Sequence, residues 1–105
     1  IHVVDLANAH LCALNNRLNS QGCRAWNIGT GQGSSVLQVK NAFEAVNQVK
    51  IPFEFVPRRT GDVAISFADN SRAMAELGWQ PRYALEDMLK DSWKWQQQNP
   101  QGYHS

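Results

Sequence analysis

Arg24-Ala25-Trp26-Asn27-Ile28-Gly29-Thr30-Gly31-Gln32-Gly33-Ser34-Ser35 is the stretch on which the fold turns. Residues 24–28 are short and β-prone, the glycines make a turn, and Ser35 with Gln38 has the form of a capping box that opens a helix. Upstream, Val4, Ala7, Leu11, Leu14 and Leu18 recur at three- and four-residue spacing, which predicts an amphipathic helix over 3–18 that ends before Gly22. Downstream, Val36, Val39, Phe43 and Val46 form the buried stripe of the helix opened by Ser35. Phe53-Glu54-Phe55-Val56 alternates as a half-buried strand does, and Val63-Ala64-Ile65-Ser66-Phe67-Ala68 reads as a second short strand. Asp69 or Asn70 can cap a helix through Ala73, Met74 and Leu77 that Gly78 terminates at an αL position, with Pro81 beyond. A last helix carries Leu85, Met88, Leu89 and Trp93 and stops at Asn99-Pro100. The order helix, strand, helix, strand, strand, helix, helix predicts an α/β arrangement.

The glycine cluster lies between a predicted strand and a helix N-terminus, the usual place of a dinucleotide phosphate cradle. Its spacing is G-x-G-x-G, whereas that cradle uses G-x-G-x-x-G. A tight βα turn that needs positive φ angles explains the glycines without a ligand. The chain has 105 residues, enough for one small domain with a modest core. Ten Lys and Arg against nine Asp and Glu leave a net charge near +1, so the broad basic footprint of a nucleic-acid binder is absent. No apolar run approaches the roughly 18 residues of a membrane span. Cys12 and Cys23, with no apparent secretory segment, are read as reduced thiols in a cytoplasmic protein.

Chemistry concentrates in Pro57-Arg58-Arg59-Thr60-Gly61-Asp62. If the preceding strand continues, alternation puts Arg59 on the face of Phe53 and Phe55 and Arg58 on the other. An arginine on an apolar face needs a partner; a phosphate bound in bidentate fashion and a carboxylate such as Asp62 both qualify. His2, His10 and His104 are scattered, with no Cys or carboxylate at zinc-ligand spacing. Tyr83 is followed four residues on by Asp87, and the chain ends before that distance from Tyr103, so no Tyr-x-x-x-Lys pair occurs. Core packing accounts for at least three of Trp26, Trp79, Trp93 and Trp95, and Asp5 is explained by the dipole of the first helix.

Several segments together resemble the UDP-glucose 4-epimerases, a family of extended short-chain dehydrogenase/reductases. They are Ile1 to Ala7, Trp26 to Leu37, Arg58 to Asp62, Asp69 with Ala73 and Glu76-Leu77-Gly78-Trp79-Gln80-Pro81, and Trp93-Lys94-Trp95 with Asn99-Pro100-Gln101-Gly102-Tyr103. The Leu-Gly-Trp-x-Pro segment is shared across nucleotide-sugar enzymes, whereas the Asn-Pro-x-Gly-Tyr ending favours the 4-epimerases.

The resemblance, with Ile rather than Met at position 1, implies residues 1–105 to be the carboxy-terminal UDP-sugar-binding region of a longer enzyme, spanning the boundary with its Rossmann domain. Residues 1–31 would pack with that domain, which binds NAD and supplies the catalytic Tyr-x-x-x-Lys pair. The implied reaction interconverts UDP-glucose and UDP-galactose by oxidation and re-reduction at C4, with no activity expected of these residues alone. By position, Arg59 would bind the UDP phosphates, Asp62 the ribose hydroxyls, and Arg58 would be a weaker phosphate contact. Ser66 stands where some members have tyrosine, and the small face Ala64, Ser66, Ala68 implies room for UDP-N-acetylhexosamines. The family commonly dimerises, which implies a homodimeric parent. The alternatives are the same region of a nucleotide-sugar dehydratase or reductase, and a free-standing nucleotide-binding module.

Overall fold

A computed structural model describes residues 1–103, with His104 and Ser105 outside the described residues. Four helices carry its regular structure: α1 Val3–Arg17, α2 Val36–Asn47, α3 Ser71–Leu77 and α4 Leu85–Gln98. Their ends are set by local chemistry close to that read from the sequence. Ser35 Oγ accepts from the Gln38 amide at 3.1 Å and Gln38 Oε1 from the Ser35 amide at 2.8 Å, so the capping box of α2 is complete. Gly78 ends α3 at φ +63°. Asp69 caps the start of α3 by accepting from the Ser71 amide at 3.0 Å. Asn70, the other candidate cap, instead donates its side-chain amide to the Gly29 carbonyl at 2.8 Å. Ala84 has no side-chain acceptor, and Asp87 supplies the reciprocal half of a box alone, accepting from the Ala84 amide at 3.0 Å.

The expected strands are not formed. Residues 24–28, 53–56 and 63–68 carry no ladder, and all regular elements among the described residues are helices. Extended backbone becomes a strand only when a second segment lies about 4.8 Å away to take its N–H and C=O groups. No ladder hydrogen bonds join these three segments among the described residues. The α/β expectation is therefore corrected for these residues to four helices joined by segments without regular structure.

The buried stripe expected on α2 is corrected: none of Val36, Val39, Phe43 and Val46 is buried, and Val36 is 88% exposed. On α1 the predicted stripe of Val4, Leu11, Leu14 and Leu18 is exposed, Val4 at 42% and Leu18 at 66%. Asp5 and Ala9 are buried instead, with Cys12 packed beside them. The cause is long range: the Trp79 indole N–H donates to the Asp5 carbonyl at 3.0 Å and draws that face of α1 inward. Trp79 forms the centre of a small core with Ala9 and Ala73, against which Trp26, Ile28 and Leu77 pack. A second contact joins α2 and α4, where Phe43 meets Trp93 edge-on at 5.6 Å. Trp26, Trp79 and Trp93 are thus used in packing, as read, and Trp95 is 47% exposed. With so few buried residues the chain is extended: its radius of gyration is 17.1 Å, against about 13 Å for a compact chain of this length.

Candidate functional site

Arg59-Thr60-Gly61-Asp62 forms a tight turn, closed by the Asp62 amide donating to the Arg59 carbonyl at 3.2 Å. Gly61 takes φ +89°, a conformation that L side chains rarely adopt, so the glycine is what permits the turn. The turn folds Asp62 back on its neighbour: its Oδ2 accepts from the Arg59 amide at 3.1 Å and from Arg59 Nε at 3.2 Å. Of the two partners that the sequence allows for Arg59, the carboxylate is therefore engaged here. Arg59 is 85% exposed, so burial does not force this pairing, and an exposed ion pair contributes only about 0–1 kcal/mol. Arg58 is exposed as well. Phe53 and Phe55 meet edge-to-face at 5.6 Å and stay in contact with solvent, so the apolar face expected to hold Arg59 is not closed over it.

Ser66 lies elsewhere, in an open groove of about 920 Å³. One wall is Ser66 to Ala68 with the glycine loop, and the other is Pro81 to Leu85; Arg58, Arg59 and Asp62 do not line it. The glycines of the first wall serve backbone approach. A Cβ on Gly29 would stand 2.8 Å from the Ala68 Cβ, and one on Gly33 would stand 3.3 Å from the Phe67 ring. Gly31 has φ +78°. Gly31 thus has the positive φ expected of the turn, whereas Gly29 and Gly33 do not and serve close packing, which their spacing did not predict.

The second wall is held by residues the sequence did not single out for a site. Asp5 is only 1% exposed. Its Oδ2 accepts from the Arg82 and Tyr83 amides, both at 3.0 Å, so it clamps the connection between α3 and α4. That pairing comes in addition to its place in the first turn of α1, where the helix dipole favours a carboxylate. His2 is buried and stacks on Tyr83 with ring centroids 4.4 Å apart. Its Nδ1 accepts from the Val4 amide at 3.0 Å and its Nε2 lies 2.9 Å from Asp91 on α4. The only sequence signal for this cluster is a carboxylate placed inside the apolar run Ile1 to Ala7. Glu76 makes a comparable tie on the other side of the core, accepting from Arg24 and, at 3.1 Å, from the Trp26 indole. The Arg24 hydrogen bond, followed by that of Trp26, holds the Glu76 carboxyl below the usual carboxylate range.

The chain belongs to the GDP-mannose 4,6 dehydratase family, whose model matches residues 5–92. Its relatives narrow the likeness to UDP-glucose 4-epimerases. It is 51% identical over 105 residues to that of Bacillus subtilis (strain 168), covering 100% of the chain and 31% of the relative. It is likewise 51% identical to that of Dictyostelium discoideum, covering 98% of the chain and 30% of the relative. Among solved structures, the UDP-glucose 4-epimerase of Stenotrophomonas maltophila with bound NAD and formylated UDP-arabinopyranose superposes with a TM-score of 0.91 at 50% identity, over 95% of this chain and 30% of that one. The Bifidobacterium longum enzyme in complex with NAD+ and UDP gives a TM-score of 0.91 at 43% identity, over 98% of this chain and 30% of that one. The chain thus spans about 30% of the length of the relatives it matches.

Proposed function

We propose that these residues are the UDP-sugar-binding part of an NAD-dependent UDP-glucose 4-epimerase, an enzyme interconverting UDP-glucose and UDP-galactose. The observation that carries this reading is the likeness to 4-epimerases along the whole chain, at 51% identity over 105 residues. In this reading Arg59 exchanges Asp62 for a phosphate of the UDP diphosphate, with Arg58 as a secondary contact. The exchange is favourable on magnitude, because the exposed pair contributes about 0–1 kcal/mol and a charge-assisted bond to phosphate about 1.5–3 kcal/mol. Asp62, once released, accepts from the ribose hydroxyls. The 105 residues contribute binding and orientation to the reaction.

NAD is held outside these residues. The glycine loop does not fit a dinucleotide, because its glycines are closed against Ala68, Asn70 and Phe67 and leave no cradle for a pyrophosphate. No Tyr-x-x-x-Lys pair is present either, so activity requires the longer enzyme. Residues 1–31 pack against its NAD-binding Rossmann domain in this reading; the exposed stripe of α1 and the unpaired segment 24–28 support that placement. The parent works as a cytoplasmic homodimer. Ser66, with Ala64 and Ala68, leaves room beside the sugar for the C2 substituent of UDP-N-acetylhexosamines.

Two substitutions in the full-length protein test the reading. Arg59→Ala is expected to weaken UDP binding, measured by calorimetry, by roughly 10- to 100-fold, the equivalent of one charge-assisted contact; unchanged affinity would sink the phosphate assignment. Ser66→Tyr should suppress turnover of UDP-N-acetylglucosamine relative to UDP-glucose, and an unaltered ratio would remove Ser66 from the sugar site.

A further inference from the structure

We infer that Tyr83 is a stacking platform for the sugar ring of the nucleotide sugar. The inference rests on the reading above, and its own observations concern how that ring is held. His2 covers one face of Tyr83 at 4.4 Å, with the ring planes 28° apart. His2 is itself fixed at both nitrogens: Nδ1 accepts from the Val4 amide, which leaves the proton on Nε2 to be donated to Asp91. The Tyr83 amide is held by the buried Asp5 carboxylate at 3.0 Å. Backing and backbone are thus both set before any ligand arrives, which lowers the ordering cost of binding. The ring remains 38% exposed and lines the groove that also contains Ser66.

The Tyr83 ring, whose described ring contact is His2, offers an aromatic face that suits the C–H face of a pyranose, with Arg82 and Glu86 beside it in the groove. A nucleobase would suit it as well, and the position of the arginine turn decides between them. Arg59 and Asp62, which take diphosphate and ribose in the present reading, do not line this groove, whereas Ser66 does. The groove therefore receives the sugar end of the ligand.

The experiment compares UDP-glucose with UDP, titrated by calorimetry into the full-length protein. Tyr83→Ala should weaken UDP-glucose about five- to tenfold, the scale of one aromatic contact, and leave UDP within about twofold of the parent. Tyr83→Phe keeps the face and should match the parent for both ligands. Tyr83→Leu, which keeps an apolar cover over His2, should lose as much as Tyr83→Ala and serves if the alanine variant does not fold. The proposal is overturned if UDP-glucose binding is unchanged in both truncations, if UDP and UDP-glucose weaken equally, or if Tyr83→Phe loses as much as Tyr83→Ala. Arg59→Ala, run alongside, separates the two claims: it should weaken both ligands, and if it weakens neither, the diphosphate assignment fails independently of the outcome at Tyr83.

Discussion

Replacing Asp5 by alanine removes the acceptor of two backbone amides at once. The Arg82 and Tyr83 N–H groups both donate to Asp5 Oδ2 at 3.0 Å, and Asp5 is 1% exposed. A fully buried N–H left without a partner costs about 1–3 kcal/mol, so about 2–6 kcal/mol is the ceiling for these two part-buried bonds. Two smaller effects act on this figure. Asp5 Oδ1 has no hydrogen-bond partner among the described residues, so its removal relieves a desolvation cost. Loss of a negative charge in the first turn of α1 removes about 0.3–1 kcal/mol of dipole stabilisation. The net is about 2–4 kcal/mol, concentrated in the connection between α3 and α4. The assay is residue-resolved amide exchange: at tenfold per 1.4 kcal/mol, the Arg82 and Tyr83 amides should exchange roughly 30- to 800-fold faster in Asp5→Ala. Asp5→Asn keeps one oxygen acceptor and should accelerate exchange far less. If both amides exchange within about twofold of the parent in Asp5→Ala while α4 stays protected, the clamp does not carry the free energy assigned to it.

Two other outcomes follow from single positions. Gln48 closes α2 in the left-handed region at φ 54°, where a Cβ is unfavourable, so Gln48→Gly should raise stability by about 0.5–1 kcal/mol in thermal denaturation despite the greater freedom of the unfolded chain. Glu76 is held below the usual carboxylate range, first by Arg24 and then by Trp26; its contribution is complete above the ordinary carboxylate value and is lost as pH falls through the lowered one. The Trp26 indole N–H resonance, followed on acidification, should shift in that window, and Glu76→Gln should abolish the shift.

Local chemistry was legible in the sequence, and pairings between distant residues were not. The capping box of Ser35 and Gln38, the αL stop at Gly78 and the positive φ at Gly31 each depend on residues a few positions apart, so their spacing was sufficient. Periodicity found the apolar stripe of α1 and missed the face that packs within these residues, because it does not know what lies opposite. What draws Asp5 and Ala9 inward is Trp79, 74 residues from Asp5 along the chain. Alternation identified residues 53–56 and 63–68 as strand-like, but neither forms a ladder and Ala64 sits in a bend; a ladder is a property of two segments, and the pattern of one cannot supply the other. The arginine turn was found by composition alone. Its carboxylate pairing was one of two alternatives left open, because exposure decides how strongly such a pair is held. Ser66 and Tyr83 share a groove that only the path of the chain between them brings together.

The same uncovered surfaces bear on how the arginine turn can bind anything firmly. Residues 51–53 are tied to α2, with the Ile51 amide donating to Glu44 at 2.8 Å and Lys40 Nζ lying 4.4 Å over the Phe53 ring. Beyond that root the arm runs through Phe55 and Val56 to the turn and returns through Val63 and Ile65, all of them at least 69% exposed and none in a ladder. Full burial of a large apolar side chain yields about 1.5–3 kcal/mol, so covering these four would supply several times the energy of one phosphate contact. Order in the turn is then expected from whatever packs on the arm, and the phosphate contact proposed for Arg59 would draw on that order without creating it. Substitutions that roughen the arm surface, such as Ile65→Lys, should then weaken UDP binding in the full-length protein although Ile65 makes no contact with the turn's charged groups. Equal affinity in that variant would mean that the four-residue turn, held by Gly61 and the Asp62 bonds to Arg59, is sufficient on its own to present the guanidinium.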